Sequence, residues 1–284
     1  EFRRVLFRSK IGRSAQTKRL YLLTLARFGE HLGRLPTLED LNDDACAAFV
    51  QERFEKVSQF AANKDRKNLA AIANYAAKKR HIEQWVMMPE VPVSWPEPTA
   101  LRPEQIRDLL DACRRAAGVI GGVRASLWWR AFIVVALTTG ERTSALLAIR
   151  KDWLDGSGWL RIPANVRKGR KKAMSYLLPP AALDAIKPLL PTDSSVIFDR
   201  SFSDAAFYRR WGLLMQSAGL PGGRRWKPQI LRRTFASYLK LAGGDATAAL
   251  AHDSTRTTKQ SYLDPTVTDA EQPGAIVARA FGLG

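Results

Sequence analysis

The sequence has few of the side chains from which disulfide scaffolds and metal sites are built. Its 284 residues include only two cysteines and three histidines. The cysteines, Cys46 and Cys113, are too few for a disulfide framework and indicate a reducing compartment. The histidines, His31, His81 and His252, are far apart, and no Cys/His spacing is typical of a zinc site. We therefore expect neither a disulfide nor a metal ion.

Long hydrophobic runs are also missing. The longest run, 131–139, is about half the length of a membrane-spanning helix, and Arg130 precedes it. It predicts a buried helix of a folded domain. Residues 1–10 are basic and lack the apolar core of a signal peptide. Because the chain starts at Glu1 without a methionine, we expect a fragment and leave these residues out of the fold prediction.

Acidic residues are scarce relative to basic ones. The chain has 45 Lys and Arg against 27 Asp and Glu, a net charge of +18, and its isoelectric point is near 10.3. This surplus favours a polyanionic partner, usually nucleic acid and less often an acidic membrane surface; a basic protein without such a partner is the alternative. Hydrophobic residues make up 46% and charged residues 25%, which is typical of a folded protein and excludes disorder throughout.

Hydrophobic spacing predicts an all-helical N-terminal region. Tyr21, Leu25, Phe28 and Leu32 recur at the spacing of one helix face. Asn42 is typical of an N-cap and predicts the start of a second helix. A third helix follows, and its polar side is basic. That side is either a solvated face or a surface for phosphate contact.

Five prolines between residues 89 and 103 predict a linker. Proline at this density excludes a helix or a central strand, so the segment is expected to be extended and stiff. We place the domain boundary near residue 98. The predicted domains are therefore 11–98, which is helical, and 99–284.

The second domain is predicted to be mainly helical with one small β-hairpin. Pro103 opens a helix, 126–138 forms a buried one, and Gly140 separates it from a helix over 142–150. The strand-like runs 159–163 and 174–178 flank a basic turn, Arg167 to Lys172, which predicts a hairpin with a charged tip. Further helices are predicted at 180–190, 203–218, 229–242 and 254–262.

Four short segments of this domain stand in an informative order. They are Thr139-Gly140-Glu141-Arg142, the lysine-rich hairpin tip, Leu231-Arg232-Arg233-Thr234-Phe235-Ala236, and Leu250-Ala251-His252 with Tyr262 ten residues later. Each segment alone is common, but the ordered set over 137–262 resembles the tyrosine recombinase (phage integrase) family. The helices and proline linker before it are similar to the family's core-binding domain, which is SAM-like. The resemblance thus implies a helical core-binding domain followed by a catalytic integrase domain.

The resemblance implies a metal-free mechanism without a cofactor, in which DNA strands are cut and rejoined. Arg142 and Arg232 would clamp the non-bridging oxygens of the scissile phosphate, because guanidinium groups make bidentate, charge-assisted hydrogen bonds to such oxygens. Tyr262 would be the nucleophile and form a covalent 3′-phosphotyrosyl bond. A hairpin lysine, Lys168 or else Lys171, would protonate the 5′-oxygen leaving group.

His252 matches a family position that donates a hydrogen bond to the phosphate. Gln229 stands three residues before the second arginine, where the family usually has His or Lys, and glutamine cannot titrate. Two further departures are Ala145, at a position that is usually acidic, and Ala251, at a position that is usually glycine. The resemblance includes Gln229 in the catalytic set, with a slower proton transfer as the expected cost.

The partners that charge and resemblance imply are double-stranded DNA and three further copies of the chain. The family implies a homotetramer on two DNA sites, with the segment after Pro265 packing onto a neighbouring protomer. We expect no membrane contact and a cytoplasmic, nucleoid-associated location, on a mobile element or in another recombination role. Predicted DNA-contact residues are Lys64, Arg66, Lys67, Arg170, Lys171, Lys172, Arg224, Arg225 and Lys227.

Two alternatives remain open at this point. The departures at Gln229 and Ala145 favour a catalytically weak relative that binds DNA as an architectural or regulatory factor. A type IB topoisomerase shares the phosphotyrosine chemistry, although the compact size and the order of the motifs are less typical of one.

Overall fold

The computed structural model describes residues 15–167 and 172–268. The chain divides into two compact units between Trp95 and Pro96. No helix or strand lies between the helix that ends at Lys78 and the one that begins at Pro103, so the proline-rich segment contains no regular secondary structure. None of the helices in the described ranges is long and apolar enough to cross a membrane.

The first unit is built from three α-helices. They are α1 (Ala15–Leu32), α2 (Asp43–Lys56) and α3 (Gln59–Lys78), with a short 3-10 turn at Leu38–Asp40. The side chain of Asn42 accepts a hydrogen bond from Ala45 N (3.0 Å), which confirms the predicted N-cap of α2. The core between the helices is apolar and buried, with Phe28, Phe49 and Leu69 at its centre.

A buried carboxylate joins the three helices of this unit. Asp65 on α3 is 1% exposed. It accepts hydrogen bonds from Thr24 Oγ1 (3.0 Å) and Arg27 Nη1 (3.0 Å) on α1 and from Arg53 Nε (2.9 Å) on α2. Because a buried charge is costly unless paired, each of these helices is fixed relative to the other two by the same carboxylate.

We predict that Asp65→Ala destabilises the protein by about 3 kcal/mol, because it leaves two partly buried arginines without their counter-ion. Urea unfolding followed by circular dichroism would measure the change. Glu55→Gln on exposed α2 surface is the matched control and should leave the midpoint unchanged. A loss below 1 kcal/mol for Asp65→Ala would mean that water replaces the carboxylate.

The second unit packs around one buried helix. Its elements are α4 (Pro103–Arg114), β1 (Val119–Ile120), β2 (Val123–Arg124), α5 (Ala125–Thr139), α6 (Thr143–Leu146), β3 (Trp159–Ile162), β4 (Met174–Leu177), α7 (Pro180–Ile186), α8 (Asp204–Ser217), α9 (Gln229–Leu241), α10 (Ala246–Ala249), α11 (Thr255–Tyr262) and α12 (Pro265–Thr268). Helix α5 lies in the middle, against α4, α7 and α9. Its aromatic residues Trp128, Trp129 and Phe132 pack against Phe198 and Phe207, and this cluster is the core of the unit.

The predicted hairpin is confirmed. Strands β3 and β4 pair antiparallel, with Trp159 opposite Leu177 and Ile162 opposite Met174. Ile162 is buried on the face that meets the core, and the neighbouring Arg161 is exposed. The small β1–β2 hairpin and the one-turn helix α10 were not predicted, because both are too short for a hydrophobic period to develop.

The helix predicted over 142–150 is wrong in its length. Only Thr143–Leu146 is α-helical. Further on, Arg150 forms a β-bridge with Val196, and the carbonyl of Ile149 accepts a hydrogen bond from Ile197 N (2.8 Å). These backbone groups are therefore used by tertiary pairing and are not free to continue a helix.

Candidate active site

The side chain of Arg232 is the centre of a polar cluster between α5, α9 and α11. It projects from α9 and is 1% exposed. Nη1 donates to the carbonyl of Gly140 (2.5 Å), and Nη2 donates to the carbonyl of Leu250 (2.9 Å). Burial lowers its pKa, and the nearby charge of Arg142 lowers it further. Its Nε is buried and has no hydrogen-bond partner among the described protein atoms.

The turn before Arg142 depends on Gly140. This residue ends α5 in the left-handed conformation (φ +64°). A Cβ atom here would lie 2.2 Å from the ring of Phe235, so both the backbone and the space exclude a larger residue. The turn places half-buried Arg142 at the N-cap of α6. Its charge is near enough to Arg232 and His252 to lower the pKa of each.

His252 lies between Arg232 and helix α11. Its Nε2 is 3.1 Å from Arg232 Nη2, and its Nδ1 is 2.9 Å from Thr258 Oγ1. The guanidinium can only donate, so Nε2 accepts and the ring proton belongs on Nδ1. Burial, then Arg232 and Arg142, lower the pKa of His252 to about 4. The preceding Ala251 has φ +50°, a left-handed conformation that favours glycine.

Tyr262 is the last residue of α11 and completes the cluster. Its hydroxyl accepts a hydrogen bond from Gln229 Nε2 (3.2 Å). Its ring centroid is 5.3 Å from the Arg232 guanidinium carbon and 4.6 Å from the His252 ring centroid. The structure thus brings Arg142, Gln229, Arg232, His252 and Tyr262 together, although 120 positions separate the first from the last.

A second buried network, which sequence reasoning missed, adjoins Arg142. Glu141 and Arg167 form an ion pair (Oε1 to Nε, 2.6 Å), and both side chains are almost fully buried. The Tyr176 hydroxyl donates to the same oxygen (2.8 Å). The only sequence signal for this network was the position of Glu141 inside the Thr-Gly-Glu-Arg motif. Arg167 and Tyr176 lie 26 and 35 positions later, and no spacing pattern pairs them with Glu141.

The predicted DNA-contact residues are dispersed. Lys64 and Lys67 are exposed on α3 of the first unit, whereas Arg66 is half-buried and bonds to Asn63. In the second unit Lys172, Arg224, Arg225 and Lys227 are exposed. The candidates Lys168, Arg170 and Lys171 lie outside the described residues.

Two of the basic side chains of the second unit also have contacts within the protein. Arg225 Nη2 donates to the Glu97 carbonyl and to Thr99 Oγ1, both at 2.7 Å. The ammonium group of Lys227 lies 4.9 Å from the centre of the Tyr208 ring. Arg225 therefore holds the start of the second unit.

Residues 100 and 101 are hydrogen-bonded to helix α9 and to the segment that follows α11, the helix that ends at Tyr262. Asp264 Oδ2 accepts from Ala100 N (2.8 Å), and Thr234 Oγ1 accepts from Leu101 N (2.9 Å). The hydroxyl of Ser237 accepts from Asp264 N (2.9 Å) and donates to the carbonyl of Tyr262 (3.2 Å). The position of Tyr262 is thus fixed from both α9 and the 100–101 segment.

Within the described ranges, no group of three or more His, Cys, Asp or Glu side chains could hold a metal ion. The cluster offers guanidinium, imidazole, amide and phenol groups, which suit an anion. In general, guanidinium groups bind phosphate oxygens, and an activated phenol is a nucleophile.

The sequence profile of the phage integrase family matches residues 99–268. The chain therefore belongs to the phage integrase family, whose members are tyrosine recombinases, and it is a DNA recombinase of that type. No curated protein sequence matches the chain.

Solved structures share the fold at low sequence identity. A lambda integrase dimer (residues 75–356) bound to a COC′ core site has a TM-score of 0.68 at 16% identity, over 89% of this chain and 93% of that one. The XerH recombinase bound to its difH substrate has a TM-score of 0.64 at 18% identity, over 85% and 75%. The Tn1549 transposon integrase (residues 82–397) with circular intermediate DNA has a TM-score of 0.67 at 15% identity, over 98% of both chains. The mainly helical fold with a small hairpin is confirmed by these likenesses.

We predict that His252 is neutral, with its proton on Nδ1, at pH 6 in the DNA-free protein. Its pKa of about 4 lies below the ordinary value near 6.5, so acid favours unfolding through this group, because the unfolded chain binds the proton first. Long-range ¹⁵N–¹H NMR between pH 4 and 8 would follow the ring nitrogens of the three histidines. His252→Gln identifies its signals, and a titration midpoint near 6.5 for them would contradict the prediction.

Proposed function

We propose that the enzyme cuts and rejoins duplex DNA through a 3′-phosphotyrosyl intermediate on Tyr262. The observation that carries the proposal is the contact of one phenol with three site groups. Tyr262 lies beside Arg232 and His252 and accepts a hydrogen bond from Gln229, and the charge of Arg142 lowers the pKa of both Arg232 and His252. A phenol is a weak nucleophile that needs a neighbouring base or cationic group, and Arg232 supplies a cationic group here.

In the proposed reaction the Tyr262 oxygen attacks the scissile phosphorus and gives its proton to water, because Gln229 donates to this oxygen and cannot accept the proton. The bond from phosphorus to the 5′-oxygen breaks, and this oxygen takes a proton from a hairpin lysine, Lys168 or Lys171. Arg142 and Arg232 neutralise the charge that develops on the non-bridging oxygens, a contribution worth about 3–4 kcal/mol for each donor. Rejoining reverses these steps with a 5′-hydroxyl as the attacking group, so the bond energy is conserved and no ATP is needed.

His252 would change its role when DNA binds. In the free protein its Nε2 accepts from Arg232. A phosphate placed against Arg232 supplies a negative charge, which raises the pKa of a nearby imidazole. Nε2 could then carry a proton and donate to a non-bridging oxygen, as predicted from the sequence.

The sequence prediction gives residues 11–98 as the core-binding domain and 99–284 as the catalytic domain. The division of the structure between Trp95 and Pro96 lies three residues before that boundary, and Lys64 and Lys67 are exposed on α3 of the first unit. The solved relatives support a double-stranded DNA partner, and one of them is described as a lambda integrase tetramer bound to a Holliday junction. We infer the same assembly, a homotetramer on two DNA sites. A cytoplasmic, nucleoid-associated location and a role on a mobile element follow from that partner as predictions.

A catalytically weak DNA-binding relative is the second candidate function, and Gln229 favours it. Its amide donates to the tyrosine hydroxyl and so cannot remove the proton. The two candidates differ in whether a covalent protein–DNA adduct forms.

Tyr262→Phe should retain DNA binding and form no covalent adduct, because only the phenolic oxygen is lost. A suicide substrate that is nicked next to the scissile phosphate traps the adduct as a slower band in a denaturing gel. The matched control is Tyr208→Phe, at an exposed tyrosine on α8, which should form the adduct normally. An adduct with Tyr262→Phe would assign the nucleophile to another residue, and its absence from the wild type would favour the DNA-binding role.

Gln229→His should raise the cleavage rate by about tenfold or less and leave the dissociation constant for DNA unchanged. An imidazole can accept the tyrosine proton, and positioned acid–base catalysis is worth about 10²–10⁴-fold, part of which a hairpin lysine or water already supplies. Single-turnover cleavage at pH 6 to 9 would measure the effect, with Gln260→His on the exposed side of α11 as control. An unchanged or lower rate would show that the site is built around the glutamine.

A further inference from the structure

The buried ion pair of Glu141 and Arg167 has no part in the steps above, yet it lies against two elements that do. Glu141 shows no side-chain exposure and Arg167 only 4%. Burying two charges is costly, and apolar residues of similar size often stabilise a core as well or better. Stability alone is thus a weak reason for an ion pair at this place.

Glu141 contacts the arginine turn through one oxygen and the hairpin through the other. Its Oε2 accepts the backbone N–H of Arg142 (3.0 Å), at the start of α6. Its Oε1 accepts from Arg167 Nε and from the hydroxyl of Tyr176 on β4. Burial, followed by the charge of Glu141, raises the pKa of Tyr176 well above its usual range, so this phenol remains a donor.

Arg167 links the segment that follows β3 to the segment that precedes β4. Its backbone ends the segment after β3, and its Nη1 donates to the carbonyl of Lys172, which leads into β4 (2.9 Å). Its Nη2 is buried and has no hydrogen-bond partner among the described protein atoms. The guanidinium therefore binds the carboxylate of the arginine turn on one side and the base of the hairpin on the other.

We propose that Glu141 and Arg167 are a positioning pair that holds the Arg142 turn against the base of the β3–β4 hairpin during strand cleavage. The proposal rests on the function proposed above, in which Arg142 binds the phosphate and a hairpin lysine protonates the leaving oxygen. Neither Glu141 nor Arg167 touches a reacting atom. Their effect is on the distance between two groups that must act on the same phosphate.

Glu141→Gln tests this role, because it keeps the shape of the side chain and removes its charge. The single-turnover cleavage constant should fall about a hundredfold, the size of effect that a misplacement of about 1 Å produces. The dissociation constant for DNA should stay within twofold of the wild type. Asp155→Asn is the matched control. It weakens another carboxylate–arginine pair at the same hairpin, the exposed pair of Asp155 with Arg161, and should leave cleavage unchanged.

A substrate with sulfur in place of the bridging 5′-oxygen separates positioning from general damage. A thiolate leaves without a proton, so a misplaced hairpin matters less. On this DNA the deficit of Glu141→Gln should shrink at least tenfold relative to the deficit on the oxygen substrate. An equal loss on both substrates, or a loss below threefold on the oxygen substrate, would overturn the proposal.

The double variant Glu141→Gln with Arg167→Met covers the case in which the single variant does not fold. It leaves no unpaired buried charge, so the fold should persist, and it should still cleave slowly. Wild-type speed in the double variant would overturn the proposal. If the wild type forms no adduct on either DNA, both the proposed function and the positioning role are wrong. If the wild type is active, a wild-type rate in the variants contradicts only the positioning role of Glu141 and Arg167.

Discussion

The site depends on one buried guanidinium. Arg232 uses its two terminal nitrogens on the carbonyls of Gly140 and Leu250, which belong to the ends of two different helices. Because helix ends leave carbonyls without intrahelical partners, these oxygens are natural acceptors for a cation. The side chain that would bind DNA phosphate is therefore also the one that determines how α5, α9 and the segment before α11 meet.

This double use constrains its neighbours. Gly140 must leave room for Phe235 and present its carbonyl, and His252 must accept from the same guanidinium. Burial, together with the two nearby arginines, lowers the pKa of the His252 imidazole to about 4. The site thus holds two guanidinium groups, those of Arg142 and Arg232, near one neutral imidazole.

The sequence was most informative where chemistry depends on residue type and order. Arg142, Arg232, His252 and Tyr262 could be found from the ordered motifs, and the helices and the β3–β4 hairpin from their hydrophobic periods. The ion pair of Glu141 and Arg167 could not, because a contact between distant residues with no period leaves no local pattern. The same holds for Asp65, whose partners lie on two other helices. The helix predicted over 142–150 was too long for the opposite reason. Local propensity favours a helix there, but Arg150 pairs with Val196 in a β-bridge instead.

The attachment of residues 97–101 bears on how the chain can be divided for study. This stretch has no helix or strand, and a boundary drawn by secondary structure would fall at Pro103. Its polar groups nevertheless satisfy Arg225, Thr234 and Asp264 in the second unit. A fragment that begins at Pro103 would remove these hydrogen bonds from exposed Arg225 and from buried Thr234 and Asp264, next to the helix that carries Tyr262, whereas one that begins at Pro96 keeps them. A fragment of the second unit should therefore begin before the last prolines of the linker, because linker residues 97–101 are part of the folded structure of that unit.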